Sequence, residues 1–146
     1  MIFVPGLPIA QGSKNAYKRG TKIVLVETAK GLKEWRATVA EYAAILEYDV
    51  LDEEAITITL MFMLPAPKKT KRRYPTTKPD IDKLSRAILD ALTGVWYKDD
   101  SQVVKLEAEK VYTYGEPGVY ITRSHLHNNL VTPLGAREQM ATRRID

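Results

Sequence analysis

Ile56-Thr57-Ile58-Thr59-Leu60-Met61-Phe62-Met63-Leu64 alternates without a break, with Ile56, Ile58, Leu60, Phe62 and Leu64 on one face. A period of two is what a strand with one buried side requires. Pro65 and Pro67 follow, and proline has no N–H to give to a sheet ladder. Beyond a basic loop that runs to Pro79, the period changes. Ile81, Leu84, Ile88, Leu89 and Leu92 recur at helical spacing, which predicts a helix opened by Asp80 or Asp82 and closed at Thr93-Gly94. Acids suit that start because they meet free backbone N–H groups and the positive end of the helix dipole.

On the upstream side, Phe3-Val4 reads as a short strand ended by Pro5-Gly6. Gln11 to Asn15 is a polar loop, and Ile23 to Val26 a second short strand. Leu32, Trp35, Val39, Tyr42, Ala43 and Leu46 predict a helix from Ala29 to Tyr48, with Thr28 as its cap. On the downstream side, Gln102 to Tyr112 reads as a strand with Val104, Leu106 and Ala108 facing one way, and Val119 to Thr122 as a final strand after a turn at Gly115 to Gly118. The tail after Arg123 is polar, with a short helix expected over Ala136 to Arg144. The expected fold is therefore α+β, a single domain with a mixed β-sheet and two main helices packed on one face.

With 146 residues, 45% of them hydrophobic, the chain is of one-domain size and has enough apolar mass for a core. No apolar run reaches the roughly 18 residues of a membrane span, and the N-terminus lacks the pattern of a signal peptide. Cysteine is absent, which excludes disulfides and thiolate zinc sites and is compatible with the cytosol. The net charge of +4 permits a nucleic-acid partner without demanding one.

The local distribution of charge tells more. Lys78-Pro79-Asp80-Ile81-Asp82-Lys83 is followed by Asp90-Ala91-Leu92 and by Trp96-Tyr97-Lys98-Asp99-Asp100-Ser101-Gln102. Asp80 and Asp82 are expected to meet the Asp99-Asp100 pair, which supplies a third carboxylate, at one edge of the sheet. Carboxylates brought together repel, and a hard divalent cation with oxygen ligands relieves that repulsion. Such a cation also activates water and takes up charge on a phosphate. Arg86, one turn after Asp82, is placed to stabilise an anionic phosphate oxygen. Each acid has an ordinary structural role open to it as well: Asp80 as a helix cap, Asp82 in a surface pair with Arg86, and Asp99 and Asp100 in a turn.

Just before the acids lies Lys68-Lys69-Thr70-Lys71-Arg72-Arg73, a basic run expected to be mobile and to follow DNA phosphates. Lys78 and Lys83 flank the acid pair. Lys14, with Lys18, Arg19 and Lys22, makes a second patch. Tyr74 is a candidate for stacking on an exposed base. Trp35 and Trp96 read as core or dimer residues. His125 and His127 lack a third metal ligand nearby.

The pattern Lys78-Pro-Asp-Ile-Asp82, Asp90-Ala-Leu92 and Trp96-Tyr-Lys-Asp-Asp-Ser-Gln102 resembles the core of the RusA family of Holliday junction resolvases of phages and prophages. A weaker likeness takes in Val4-Pro5-Gly6-Leu7-Pro8 and the strand after the core. The resemblance implies a nuclease domain over residues 1–123, leaving 124–146 as a tail. It implies a homodimeric, Mg²⁺-dependent endonuclease, with Mn²⁺ as a substitute, that places paired nicks across a four-way DNA junction. It also implies a cytoplasmic protein of a bacterial host, encoded by a phage or prophage and serving recombination or repair. The family's catalytic, metal-binding aspartates fall on Asp80, Asp82 and Asp100, and a family lysine falls on Arg86. Two positions depart from the pattern: Lys83 stands where asparagine is usual, and Arg86 where lysine is. The alternatives are a weak or inactive protein that binds branched DNA without cutting it, and a small metal-dependent phosphatase or nucleotidase.

Overall fold

The computed structural model describes residues 1–12, 15–19, 22–26 and 30–126, with segments 15–19 and 22–26 described by backbone alone. In chain order the elements are β1 (Ile2–Pro5), β2 (Asn15–Arg19), β3 (Lys22–Val26), α1 (Leu32–Ala44), β4 (Ala55–Pro65), α2 (Ile81–Leu92), a single 3₁₀ turn at Asp100–Gln102, β5 (Val103–Thr113) and β6 (Gly118–Leu126). Strands β1, β6, β4 and β5 form one mixed sheet in that spatial order, and β2 and β3 form a separate hairpin. The α+β expectation is met. No helix among the described residues is long and apolar enough to cross a membrane.

The alternation in β4 does what it predicts. Ile56, Ile58, Leu60 and Phe62 are buried together with Leu32, Trp35, Val39 and Ala43 of α1 and with Leu84, Ala87, Ile88 and Leu92 of α2. Both helices thus cover the same face of the sheet. Each large side chain so enclosed contributes about 1.5–3 kcal/mol. Trp96 and Tyr97 are fully buried just after α2. The Trp96 indole N–H donates to the Ala43 carbonyl at 2.9 Å, tying the exit of α2 to the end of α1. Trp35 is a core residue too, packed so close to Gly6 that a Cβ there would lie 3.0 Å from its ring.

The first helix is shorter than its apolar spacing suggests. It starts after Gly31, whose φ of 80° is the left-handed region that favours glycine. At the other end the bonds tighten to Ile45 N–H to Tyr42 O, and Glu47 takes a positive φ of 51°. Thr28, the expected cap, lies outside the described residues. Strand β5 has a bulge: Ile56 pairs with Val103, but Thr57 with Lys105. Val104 is left over and exposed, while Ala108 packs against the core.

One topological fact governs the site. β4 and β5 run parallel, from Thr57 beside Lys105 to Pro65 beside Thr113. A parallel pair needs a crossover that returns the chain to its starting end, and α2 is that return. The start of α2 and the start of β5 therefore lie at opposite ends of the strands.

Candidate active site and nucleic-acid interface

At the entrance of α2, Asp80 is the N-cap residue with extended backbone, and its carbonyl accepts the Leu84 N–H at 3.0 Å. Its side chain makes no capping hydrogen bond. Instead Lys83 Nζ lies 3.2 Å from Asp80 Oδ2, a half-exposed ion pair. Asp82 follows in the first turn, exposed and without a partner among the described residues. Arg86, one turn on, is likewise exposed and unpartnered there, so the alternative of a surface Asp82–Arg86 pair is not formed. The Gln11 backbone N–H donates to the Lys83 carbonyl at 2.9 Å and braces this turn from the N-terminal segment.

At the far end of α2 the carboxylates are used differently. Asp90 accepts from the Gln11 side-chain amide at 2.5 Å, and Arg36 reaches both Gln11 Oε1 (3.0 Å) and Asp90 Oδ2 (3.9 Å). Asp99 caps the 3₁₀ turn by accepting the Ser101 N–H at 2.9 Å. Gln102 completes a capping box, its Oε1 accepting the N–H groups of Lys98 and Asp99. Hydrogen bonds from Ser101 hold the Asp99 carboxyl below its ordinary value. The Asp100 carboxyl is pushed up, first by partial burial, then by Asp99 and the negative charge of Asp90. Burial, then the negative charge of Asp100, Asp90 and Asp99, pushes up the Tyr97 hydroxyl, which donates to Leu89 O at 2.7 Å.

The expected convergence of Asp80, Asp82 and Asp100 does not occur within one chain. Asp100 senses Asp90, and Asp80 is ten residues earlier on the same helix, about 15 Å along its axis. The cause is the crossover: a helix joining parallel strands runs back along them. Among the described residues no three Asp, Glu or His side chains are grouped to hold a metal ion. A single chain thus brings two carboxylates, Asp80 and Asp82, to the α2 entrance, with Asp100 at the other end of the helix. His125 is exposed on β6, and His127 lies outside the described residues.

The basic loop is held rather than free. Ala66 N–H donates to Thr113 O, Tyr112 N–H to Arg73 O, and Tyr114 Oη to Thr70 O, each at 2.9 Å. Lys110 Nζ donates to Thr77 O at 2.7 Å and Pro79 O at 2.9 Å. The C-terminal half of β5 is therefore a rack for the loop. Lys68, Lys69, Lys71, Arg72, Arg73 and Lys78 are exposed, and none has an ion-pair partner among the described residues. Arg73 sits 5.4 Å over the ring of half-exposed Tyr74. Lys14 lies outside the described residues. Lys18, Arg19 and Lys22 fall at the closed end of the β2–β3 hairpin, where Arg19 pairs with Lys22.

Sequence reasoning did not single out Gln11 or Lys110. Lys110 did carry a signal: it stands in phase with Leu106 and Ala108, so a cation occupies a helix-facing position beside Phe62. Gln11 had none, because its contact with Asp90 spans the whole domain.

The profile of the family described as Endodeoxyribonuclease RusA matches residues 5–123. The chain belongs to that family. Asp80, Asp82, Arg86, Asp100 and the basic loop all lie inside the matched span. The chain is also 33% identical over 130 residues to the Bacillus subtilis (strain 168) protein described as Uncharacterized protein YqaN, covering 81% of this chain and 90% of that one. It is 37% identical over 57 residues to the Crossover junction endodeoxyribonuclease rusA of Lactococcus phage r1t, covering 38% of this chain and 43% of the phage protein.

Proposed function

We propose that the protein is a divalent-cation-dependent endonuclease that nicks four-way DNA junctions on opposed strands, and that it works as a homodimer. It would act in the cytoplasm of a bacterial host, in phage or prophage recombination or repair. The observation that carries this reading is an acid pair, Asp80 held only by half-exposed Lys83 and Asp82 without a partner among the described residues, set directly after a pinned loop of cations in a chain of the RusA endodeoxyribonuclease family. A small phosphatase or nucleotidase would need no such extended cationic track.

The separation of Asp100 from Asp80 and Asp82 within one chain is the physical case for two subunits. Strand β5 is an edge strand; the basic loop takes the Tyr112 N–H near its end, while Val104 and Leu106 are exposed in its first half, and such an edge is a template for another strand. Antiparallel pairing of β5 with β5 of a second copy would reverse the strand direction. It would carry the turn at Asp100 of the partner subunit toward the Lys110 level, where the α2 entrance lies. Asp80, Asp82 and Asp100 of the partner subunit would then hold Mg²⁺ or Mn²⁺, two-fold symmetry giving two equal sites for paired nicks. A bound cation supplies an activated water and charge relief on the phosphate. The remaining roles belong to this chain: Arg86 meets an anionic phosphate oxygen, and the loop cations hold the DNA backbone without reading its bases.

A labelled synthetic junction incubated with Mg²⁺ tests the activity; symmetric nicks are expected. Mixing Asp82→Asn chains with Asp100→Asn chains tests the shared site. If ligands come from both subunits, each mixed dimer regains one intact site and single-strand nicking returns. If all three came from one chain, the mixture would stay inactive. A second reading, branched-DNA binding without cutting, draws on the Lys83–Asp80 pair, which competes with a cation for the same oxygen. Binding without nicking, in Mg²⁺ and Mn²⁺ across pH, would favour it.

A further inference from the structure

Lys110 stands apart among the cations near the site. It is half-buried on the helix-facing side of β5, yet it has no carboxylate partner among the described residues. Its ammonium spends two of three N–H donors on backbone carbonyls, Thr77 O and Pro79 O. Pro79 immediately precedes Asp80. The Asp80 side chain gives nothing to the helix end it caps, although an aspartate at that position ordinarily accepts from the first turn. The path into α2 is thus held from outside, by Lys110 on the approach and by Gln11 on Lys83 O, and not by the acids themselves.

We propose that Lys110 is the positioning residue of the acid pair. It fixes the peptide leading into Asp80 so that both carboxylates stay available for a cation. The role rests on the reading of Asp80 and Asp82 as metal ligands, but it is a separate claim about what holds them. Charge-assisted bonds to two carbonyls on either side of Lys78 leave that short segment little freedom. Without them the segment would be free to turn, and Asp80 to cap its own helix. The effect on metal binding has a diagnostic sign. Were Lys110 merely a nearby positive charge, it would repel a cation, and removing it would tighten metal binding. As a positioning residue it must do the reverse.

The test is Mn²⁺ titration of the full chain without DNA, followed by calorimetry, with thermal melting alongside. Lys110→Met is expected to weaken Mn²⁺ binding by about tenfold or more, the scale of losing a residue that orients a ligand. Lys110→Gln, which keeps an amide donor and a polar side chain, guards against misfolding of the methionine variant and is expected to fall between it and the parent. Unchanged or tighter Mn²⁺ binding in a folded variant overturns the positioning role, whatever the loss of melting temperature. Asp82→Asn separates the two claims. If it binds Mn²⁺ as well as the parent does, the acid-pair reading fails and the positioning role falls with it. If it loses Mn²⁺ while Lys110→Met and Lys110→Gln keep it, the positioning role alone fails.

Discussion

The two ends of α2 use the same residue type in opposite ways. At the exit, Asp90 is bonded to Gln11 and Arg36, and Asp99 caps a turn. At the entrance, Asp82 has no partner among the described residues and Asp80 only a half-exposed lysine. A carboxylate bonded to its own protein stabilises the fold; one left open while its backbone is held by others is available to a ligand. Asp100 belongs to neither group. It sits exposed among the structural acids, and its carboxyl is pushed up by partial desolvation and by Asp99 and Asp90.

The contrast breaks most readily at Asp82. Asp82→Asn is expected to lower junction nicking by about a hundredfold or more while leaving junction binding intact, since losing a ligand should cost at least what losing its support costs. Equal cleavage by variant and parent in a gel assay would end the metal-site reading. Asp90→Ala should do the converse: a loss of about 1–3 kcal/mol of stability from the broken charged hydrogen bond, seen in urea unfolding, with nicking retained at temperatures where the variant is folded.

Asp100→Asn sharpens the comparison through pH. An acid whose folded pKa is raised binds its proton more tightly when folded, so ionisation costs stability. That cost is absent well below the ordinary value of 3.8, grows as pH rises through the carboxylate range, and is complete above it. Measured in chelator, Asp100→Asn should melt higher than the parent at neutral pH. The gain should vanish in acid, although the variant no longer cuts. A lower melting temperature at neutral pH would place Asp100 with Asp90 among the structural acids. The smallest effect is expected for Lys83→Asn. Removing an exposed ion pair worth about 0–1 kcal/mol should free Asp80 and reduce the Mg²⁺ needed for half-maximal nicking by about fivefold at most; a higher requirement would mean that Lys83 helps to bind the substrate.

The legible parts of this protein are those written in short-range pattern. The alternation of Ile56 to Leu64 specified a strand with one buried side, and the spacing of Leu84, Ile88 and Leu92 specified a helix that covers it. The family pattern around Asp80 and Asp82 was legible because consecutive residues carry it. The β2 strand escaped notice because Asn15 to Arg19 has little apolar alternation. The basic loop looked mobile because no period runs through it, yet its order comes from bonds to Lys110, Tyr112 and Tyr114, more than thirty residues away.

The sequence by itself determined the strand at Ile56 to Leu64, the helix that follows it and the presence of two acids at that helix's entrance, because period, capping preference and charge act over a few neighbours. Only the tertiary structure decided that β5 lies parallel to β4, and with it that Asp100 sits a helix length away from Asp80 and Asp82. Strand direction is set by hydrogen bonds between segments about fifty residues apart, and no local pattern specifies which ends of two elements will meet.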